Sequence, residues 1–209
     1  MNDNNPELPV GYSPVPLGKI ANVVTFLEMR ERPQETAVDP NAGFTLVRLT
    51  APDLGEYRRL FRLVGEDWMW VSLLELDDDA LRAVLADPSV EVYALRDGTR
   101  NIGLLQLDFR VAGECELVFF GVVKDAIGKG TGRFLMNEAI ANAWARPIER
   151  FWLHTCTFDH PAAVAFYQRS GFRPYALMVE VHDDPRLTGL LPRTAAPHIP
   201  LLDPPGRAE

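Results

Sequence analysis

Glu116 to Trp144 reads ELVFFGVVKDAIGKGTGRFLMNEAIANAW, and this stretch decides the fold. It opens as an apolar strand and bends at glycines 128, 130 and 132. It continues with apolar residues at Leu135, Met136, Ala139, Ile140 and Ala143, the spacing of one helical face. A strand that enters a helix through glycines aims several main-chain N–H groups and the positive end of a helix dipole at one spot, which suits a phosphate or pyrophosphate. Glycine also lets a ligand come close, with no Cβ in the way. Two ligand classes fail on spacing. A Walker loop needs four residues between its first glycine and Gly-Lys-Ser/Thr, but six separate Gly121 from Gly128, and Gly130 stands where the magnesium-holding hydroxyl belongs. The dinucleotide fingerprint would put its last glycine at position 133, which is Arg133. A turn that uses glycine for packing alone is the plain alternative.

Working outward, three strands precede or form the start of this stretch: Val90 to Arg96, Ile102 to Val111 and Glu116 to Val123, with bends at Asp97-Gly98 and Ala112-Gly113, an antiparallel meander. Before them come a strand, Phe44 to Leu49, a helix that starts after Pro52-Asp53 and runs to Val64, and a helix from Ala80 to Ala86 behind Asp77 to Asp79. After the glycine bend and its helix, Arg150 to Thr157 reads as a strand, His160 to Ser170 as a helix and Phe172 to Val181 as a last strand. The expected fold is α/β, a mixed sheet with helices on both faces. Ala21 to Met29 reads as an additional strand at the sheet edge, or as an arm that closes a site or reaches a partner subunit. Residues 1–43 are thus an N-terminal arm with an extra strand, 44–184 the α/β domain, and 185–209 a Pro-rich tail expected to wrap the surface without regular structure.

Composition bounds the function. The 209 residues are 47% hydrophobic and 24% charged, enough for one good core. With 21 Lys and Arg against 29 Asp and Glu the formal net charge is -8, which argues against nonspecific nucleic-acid binding and suits a cationic small molecule. Cys115 and Cys156 lie in separate strands with no disulfide framework or zinc spacing, so a reducing cytoplasm fits. The first residues, MNDNNPELPV, lack the features of a signal peptide, and no apolar run is long enough to cross a bilayer. His154, Cys156, Asp159 and His160 form a tempting metal or nucleophile cluster, but no second ligand group accompanies them, and no metal is expected.

ELVFFGV, then Gly128-Lys129-Gly130-Thr131-Gly132, then DHPAAVAFYQRSGF from Asp159 to Phe172 together resemble the GNAT superfamily of acyl-CoA-dependent N-acetyltransferases. The family loop reads Gln/Arg-x-x-Gly-x-Gly/Ala, here Ile127, Gly130 and Gly132. The family helix reads Asn-x-x-Ala-x-x-x-Tyr-x-x-x-Gly-Phe, here His160, Ala163, Tyr167, Gly171 and Phe172. Ile127 and His160 depart from the pattern. The resemblance covers about Phe44 to Val181. It implies that acetyl-CoA is the co-substrate, its pantetheine arm along Phe120, Gly121 and Val122, its phosphates on amides of Ile127, Gly128, Lys129, Gly130, Thr131, Gly132 and Arg133, and His160 near the arm.

It implies N-acetyl transfer by direct attack to a primary amine of a small molecule or amino acid. An alkylamine with a pKa of about 10.4 is protonated at neutral pH and needs a base. Glu116 is the candidate, six residues before Val122 at the strand position where some family members carry a glutamate; strand alternation places it on one face with Val118, Phe120 and Val122, an apolar setting. The plain alternative is a glutamate in solvent. Tyr167 matches the family tyrosine that protonates the leaving thiolate. Trp68 and Trp70 line the acceptor site or belong to the core. Other readings are a different acyl donor or acceptor, and a non-catalytic CoA-sensing module. A homodimer is compatible with the long arms.

Overall fold

The computed structural model describes residues 7–33 and 43–204. Residues 1–6, 34–42 and 205–209, which include parts of the expected arm, the polar stretch to Pro40 and the end of the tail, lie outside the described residues. The strands are β1 (Lys19–Met29), β2 (Phe44–Arg48), β3 (Val90–Asp97), β4 (Arg100–Asp108), β5 (Glu114–Val122), β6 (Arg150–Cys156) and β7 (Arg173–Asp183). The helices are α1 (Leu54–Gly65), α2 (Asp78–Ala86), α3 (Thr131–Ala143), α4 (Ala163–Arg169) and the single turn α5 (Pro185–Thr188). One sheet holds all seven strands in the order β2-β3-β4-β5-β6-β1-β7; β5 and β6 are parallel and every other pair is antiparallel.

Local chemistry sets the helix starts. The Asp53 carboxylate accepts from the Glu56 N–H (2.9 Å) and Asp77 from Ala80 N–H (2.8 Å), each satisfying a donor with no partner inside its helix. In α1, Tyr57, Leu60, Phe61 and Val64 fall on one face and are buried against β4 and β5, each contributing about 2 kcal/mol. The Tyr57 hydroxyl donates to Gln106 Oε1 (3.1 Å), so neither buried polar group is orphaned. On α3, Leu135, Met136, Ala139, Ile140 and Ala143 are buried, as their spacing predicts.

Two expectations need correction. β1 does not lie at an edge: it pairs with β6 through Val24–Cys156 and with β7 through Val24–Met178. Its alternation suits an interior place, because Ile20, Asn22 and Val24 are buried on one face while Leu27 and Met29 enter the main core on the other. β7 is the edge strand. The tail is not structureless either. α5 begins it, and Leu191, Ala195, Ala196 and Ile199 pack on Ile20, Met69 and Phe158 in a second apolar cluster. Arg186, 4% exposed, ties the tail together by bonding Asp184 (2.7 Å) and the Ile199 carbonyl (2.8 Å).

Candidate functional site

β5 and β6 pair only from Glu114–Arg150 to Glu116–Trp152 and then diverge. Beyond that rung β5 stays bonded to β4 alone, so the peptide groups on its other edge face a V-shaped cleft. A register shift in the β4–β5 ladder decides which side chains enter it. Leu107 opposes Leu117 and Gln106 opposes Phe119, which leaves Val118 as an extra residue. Glu116, opposite Asp108, therefore shares a face with Phe119, opposite Gln106, while Phe120, opposite Leu105, falls on the other face. The alternation read from the sequence, Glu116 with Phe120 and Val122, is broken by this bulge.

On one side of the cleft a cavity of about 470 Å³ is lined by Phe120, Gly121, Val122, Ile127, Gly128, Gly130, Gly132, Arg133, His160, Phe166 and Tyr167, among others. Gly128 and Gly130 have φ of +82° and +81°, the left-handed region that glycine tolerates, and a Cβ on either would project into open space. Gly130 is the N-cap of α3, and the first main-chain bond past it runs from Phe134 N–H to the Gly130 carbonyl (3.0 Å), so the amides of Thr131, Gly132 and Arg133 have no acceptor one turn back. The Thr131 hydroxyl beneath the bend is buried without a hydrogen-bond partner. Arg100 pairs with Asp125 (2.7 and 3.0 Å), tying the bend to the β3–β4 hairpin. Open glycines, free helix-start amides and an apolar channel fit a pantetheine-bearing diphosphate. Arg133 lines this cavity, as does Arg169, which the sequence did not single out; the Lys129 side chain is exposed on the bend. His160, at the position of the family Asn, accepts at Nδ1 from Ala162 N–H (3.1 Å) in the turn ahead of α4, and α4 starts later than the expected His160.

On the other side a cavity of about 280 Å³ is lined by Asn22, Trp68, Trp70, Glu75, Phe119, Phe120, His154, Cys156, Asp159, Tyr167, Glu180 and His182, among others. The two cavities share Trp68, Trp70, Phe120, Asp159 and Tyr167. Tyr167, 9% exposed, stands at this junction among Phe120, Phe166 and Phe172. Burial, and then the Asp159 charge, push its phenol well above the usual tyrosine range, so the hydroxyl keeps its proton. Asp159 accepts from Thr155 Oγ1 (2.6 Å), Cys156 N–H (2.9 Å) and Trp70 Nε1 (3.3 Å), which fixes the indole. Trp70 is both wall and packing: a Cβ on Gly65 would meet it at 2.5 Å, while one on Gly121 would meet Val64 at 2.6 Å and Trp70 at 3.1 Å, so Gly65 admits the ring and Gly121 admits both side chains. Trp68 faces both cavities and touches the His160 and His198 rings.

Glu116 lines neither cavity. Its carboxylate lies 3.6 Å from Nδ1 of His154, which does line the smaller one. The expected apolar setting is therefore replaced by a polar one, with His154 between Glu116 and the cleft. Glu116, chiefly, raises the imidazole above its ordinary value against the lowering effect of burial. Cys156 shares the cavity wall, and burial pushes its thiol up to about 11, so it is no ready nucleophile. Among the described residues no group of His, Cys, Asp or Glu has the arrangement of a metal site, and no helix is long and apolar enough to cross a membrane.

The family model described as Acetyltransferase (GNAT) family matches residues 57–172. Comparison with curated protein sequences returns no match. Among solved structures, an aminoglycoside acetyltransferase from an uncultured soil metagenomic sample shares 16% identity over 63% of this chain and 90% of its own, with a TM-score of 0.52. A protein from Novosphingobium aromaticivorans assigned to the GNAT family shares 19% over 82% and 70%, with a TM-score of 0.53. A GCN5-related N-acetyltransferase from Sphaerobacter thermophilus shares 17% over 83% and 53%, with a TM-score of 0.55. At these identities the likeness is one of fold, and it agrees with the mixed sheet and its glycine bend. With the family model spanning more than half of the sequence, the chain belongs to the GNAT family of acetyltransferases.

Proposed function

We propose that this protein transfers an acetyl group from acetyl-CoA to a primary amine of a small molecule or amino acid by direct attack. The observation that carries the reading is the meeting of the two cavities at Tyr167, with the glycine bend on one side and a cavity without Lys or Arg among its described lining residues on the other. Acetyl-CoA supplies a thioester whose carbonyl carbon takes the amine nitrogen as the C–S bond breaks. Amides from Ile127 to Arg133 hold its phosphates, and Arg133 and Arg169 add positive charge. The free β5 edge at Phe120 to Val122 aligns the pantetheine arm and offers N–H groups to the carbonyl oxygen. His154, backed by Glu116, removes the ammonium proton from the acceptor, so that Glu116 acts through the imidazole. Tyr167 holds a proton at its hydroxyl for the departing sulfur. Trp68 and Trp70 exclude water where the reactants meet.

The test is thiol release from acetyl-CoA by the purified protein with a panel of amines. Turnover that falls about 10²-fold in Tyr167→Phe supports the reading. Absence of turnover with every amine, alongside tight acetyl-CoA binding, would instead favour a CoA-sensing module of the same fold.

A further inference from the structure

The smaller cavity holds more acceptor groups than a single amine needs. Asp159 is spent on Thr155, Cys156 and Trp70, and His154 faces Glu116. Two carboxylates are left over. Glu75 enters from the segment after Trp70, and Glu180 from β7. Asn22 of β1 stands beside Glu180: its Nδ2 donates to Glu180 Oε2 (3.0 Å), which fixes that carboxylate from within the fold. The Asn22 side chain is 3% exposed, and its Oδ1 is buried with no hydrogen-bond partner. A buried amide carbonyl without a donor is destabilising, because its lost hydration is not replaced. In the wall of a cavity, beside a carboxylate, it is the group that an incoming N–H donor would satisfy.

The charge balance points the same way. The carboxylates and imidazoles around the cavity are Glu75, Asp159, Glu180, His154 and His182, with Glu116 behind His154; Cys156 and Tyr167 also line it, both held neutral by burial, and neither Lys nor Arg is among the described lining residues. An anionic or neutral ligand would leave those carboxylates unpaired in a partly closed space, whereas an ammonium offers three donors to them. At about 280 Å³ the cavity is at the small end of ligand sites, too small for an oligosaccharide and suited to a short chain.

We propose that the acceptor is a small dication, a short aliphatic diamine or diamino compound. One amine reaches His154 and Tyr167 for acetylation. The other stays an ammonium, held by Glu180 and the Asn22 carbonyl with Glu75 in the same cavity. This rests on the acetyltransferase reading above and adds to it the charge and length of the substrate. Asn22 and Glu180 are specificity residues: they touch the end of the acceptor that does not react.

The experiment compares straight-chain diamines with the monoamine and the amino alcohol of equal length. Turnover is followed by thiol release, and binding to the CoA-loaded protein by calorimetry. The expected result is a kcat/KM for the best diamine at least tenfold above that of both matched compounds, carried mainly by KM. Glu180→Gln should bring that ratio to within about threefold of one, and Asn22→Ala should lower it in the same direction. Because Asn22 is buried and its variant can fail to fold, the exposed Glu180 decides. A monoamine used as well as the diamine, or a ratio unchanged in Glu180→Gln, overturns the dication inference and leaves acetyl transfer standing. A diamine that binds in a Glu180-dependent way without being acetylated does the reverse.

Discussion

His154 Nδ1 lies 3.6 Å from the Glu116 carboxylate, and the imidazole lines the smaller cavity while the carboxylate does not. The pair forms because Glu116 lies opposite Trp152 in the β5–β6 ladder, and strand alternation puts His154, two residues on, on the same face as Trp152. An imidazole raised by a carboxylate is a stronger base, but it loses its proton only at higher pH. Replacing Glu116 with Gln should therefore lower the plateau of kcat/KM and move the acid limb of the pH–rate profile to lower pH. His154→Ala should cost about 10²-fold. A Glu116→Gln profile with an unmoved acid limb would show that the imidazole is not the titrating group.

Tyr167→Phe removes the hydroxyl at the junction while keeping the ring among Phe120, Phe166 and Phe172. Turnover should fall about 10²-fold, with acetyl-CoA affinity within about twofold of the parent, as for a group that acts in the transition state. Steady-state kinetics with calorimetry on acetyl-CoA measures both. Equal losses in rate and affinity would mean that the residue only packs.

Gly130→Ala places a side chain at φ +81°, a backbone cost of roughly 1–2 kcal/mol, and points a methyl group into the space above the bend. Gly113 is the matched control. It has φ +76° and open surroundings at the β4–β5 turn, so Gly113→Ala carries a similar backbone cost away from the site. Both variants should melt a few degrees lower, by about 2–4 °C per kcal/mol. Gly130→Ala alone should lose most of the rise in melting temperature that acetyl-CoA produces.

Burial pulls the Asp184 carboxyl upward, but the hydrogen bonds and charge of Arg186 pull it further down, leaving it below the usual aspartate range. A depressed carboxyl contributes stability that is present above its unfolded value of about 3.9 and lost as pH falls through the folded value. The parent melting temperature should therefore drop more steeply below about pH 4 than that of Asp184→Asn. Arg186→Met strands the buried carboxylate and the tail carbonyls and should cost about 3–5 kcal/mol at neutral pH, read by chemical denaturation.

Local properties, namely periodicity, φ preference and turn residues, made the strand, glycine bend and helix at Glu116 to Trp144, the meander before it and the helix that carries Tyr167 legible in the chain itself. Most strand and helix limits fell within two or three residues for the same reason. Tertiary structure alone decided the rest. The slot of β1 between β6 and β7 depends on partners more than 120 residues away. The bulge at Val118, which takes Phe120 off the face of Glu116, is set by how β5 pairs with β4, and the place of Glu116 near His154 by how β5 pairs with β6. Asn22, Glu75 and Glu180 meet around one cavity only because β1, the loop after Trp70 and β7 converge there. Such long-range pairings leave no periodic trace in the chain, since a strand's alternation tells which faces are buried but not which neighbour buries them.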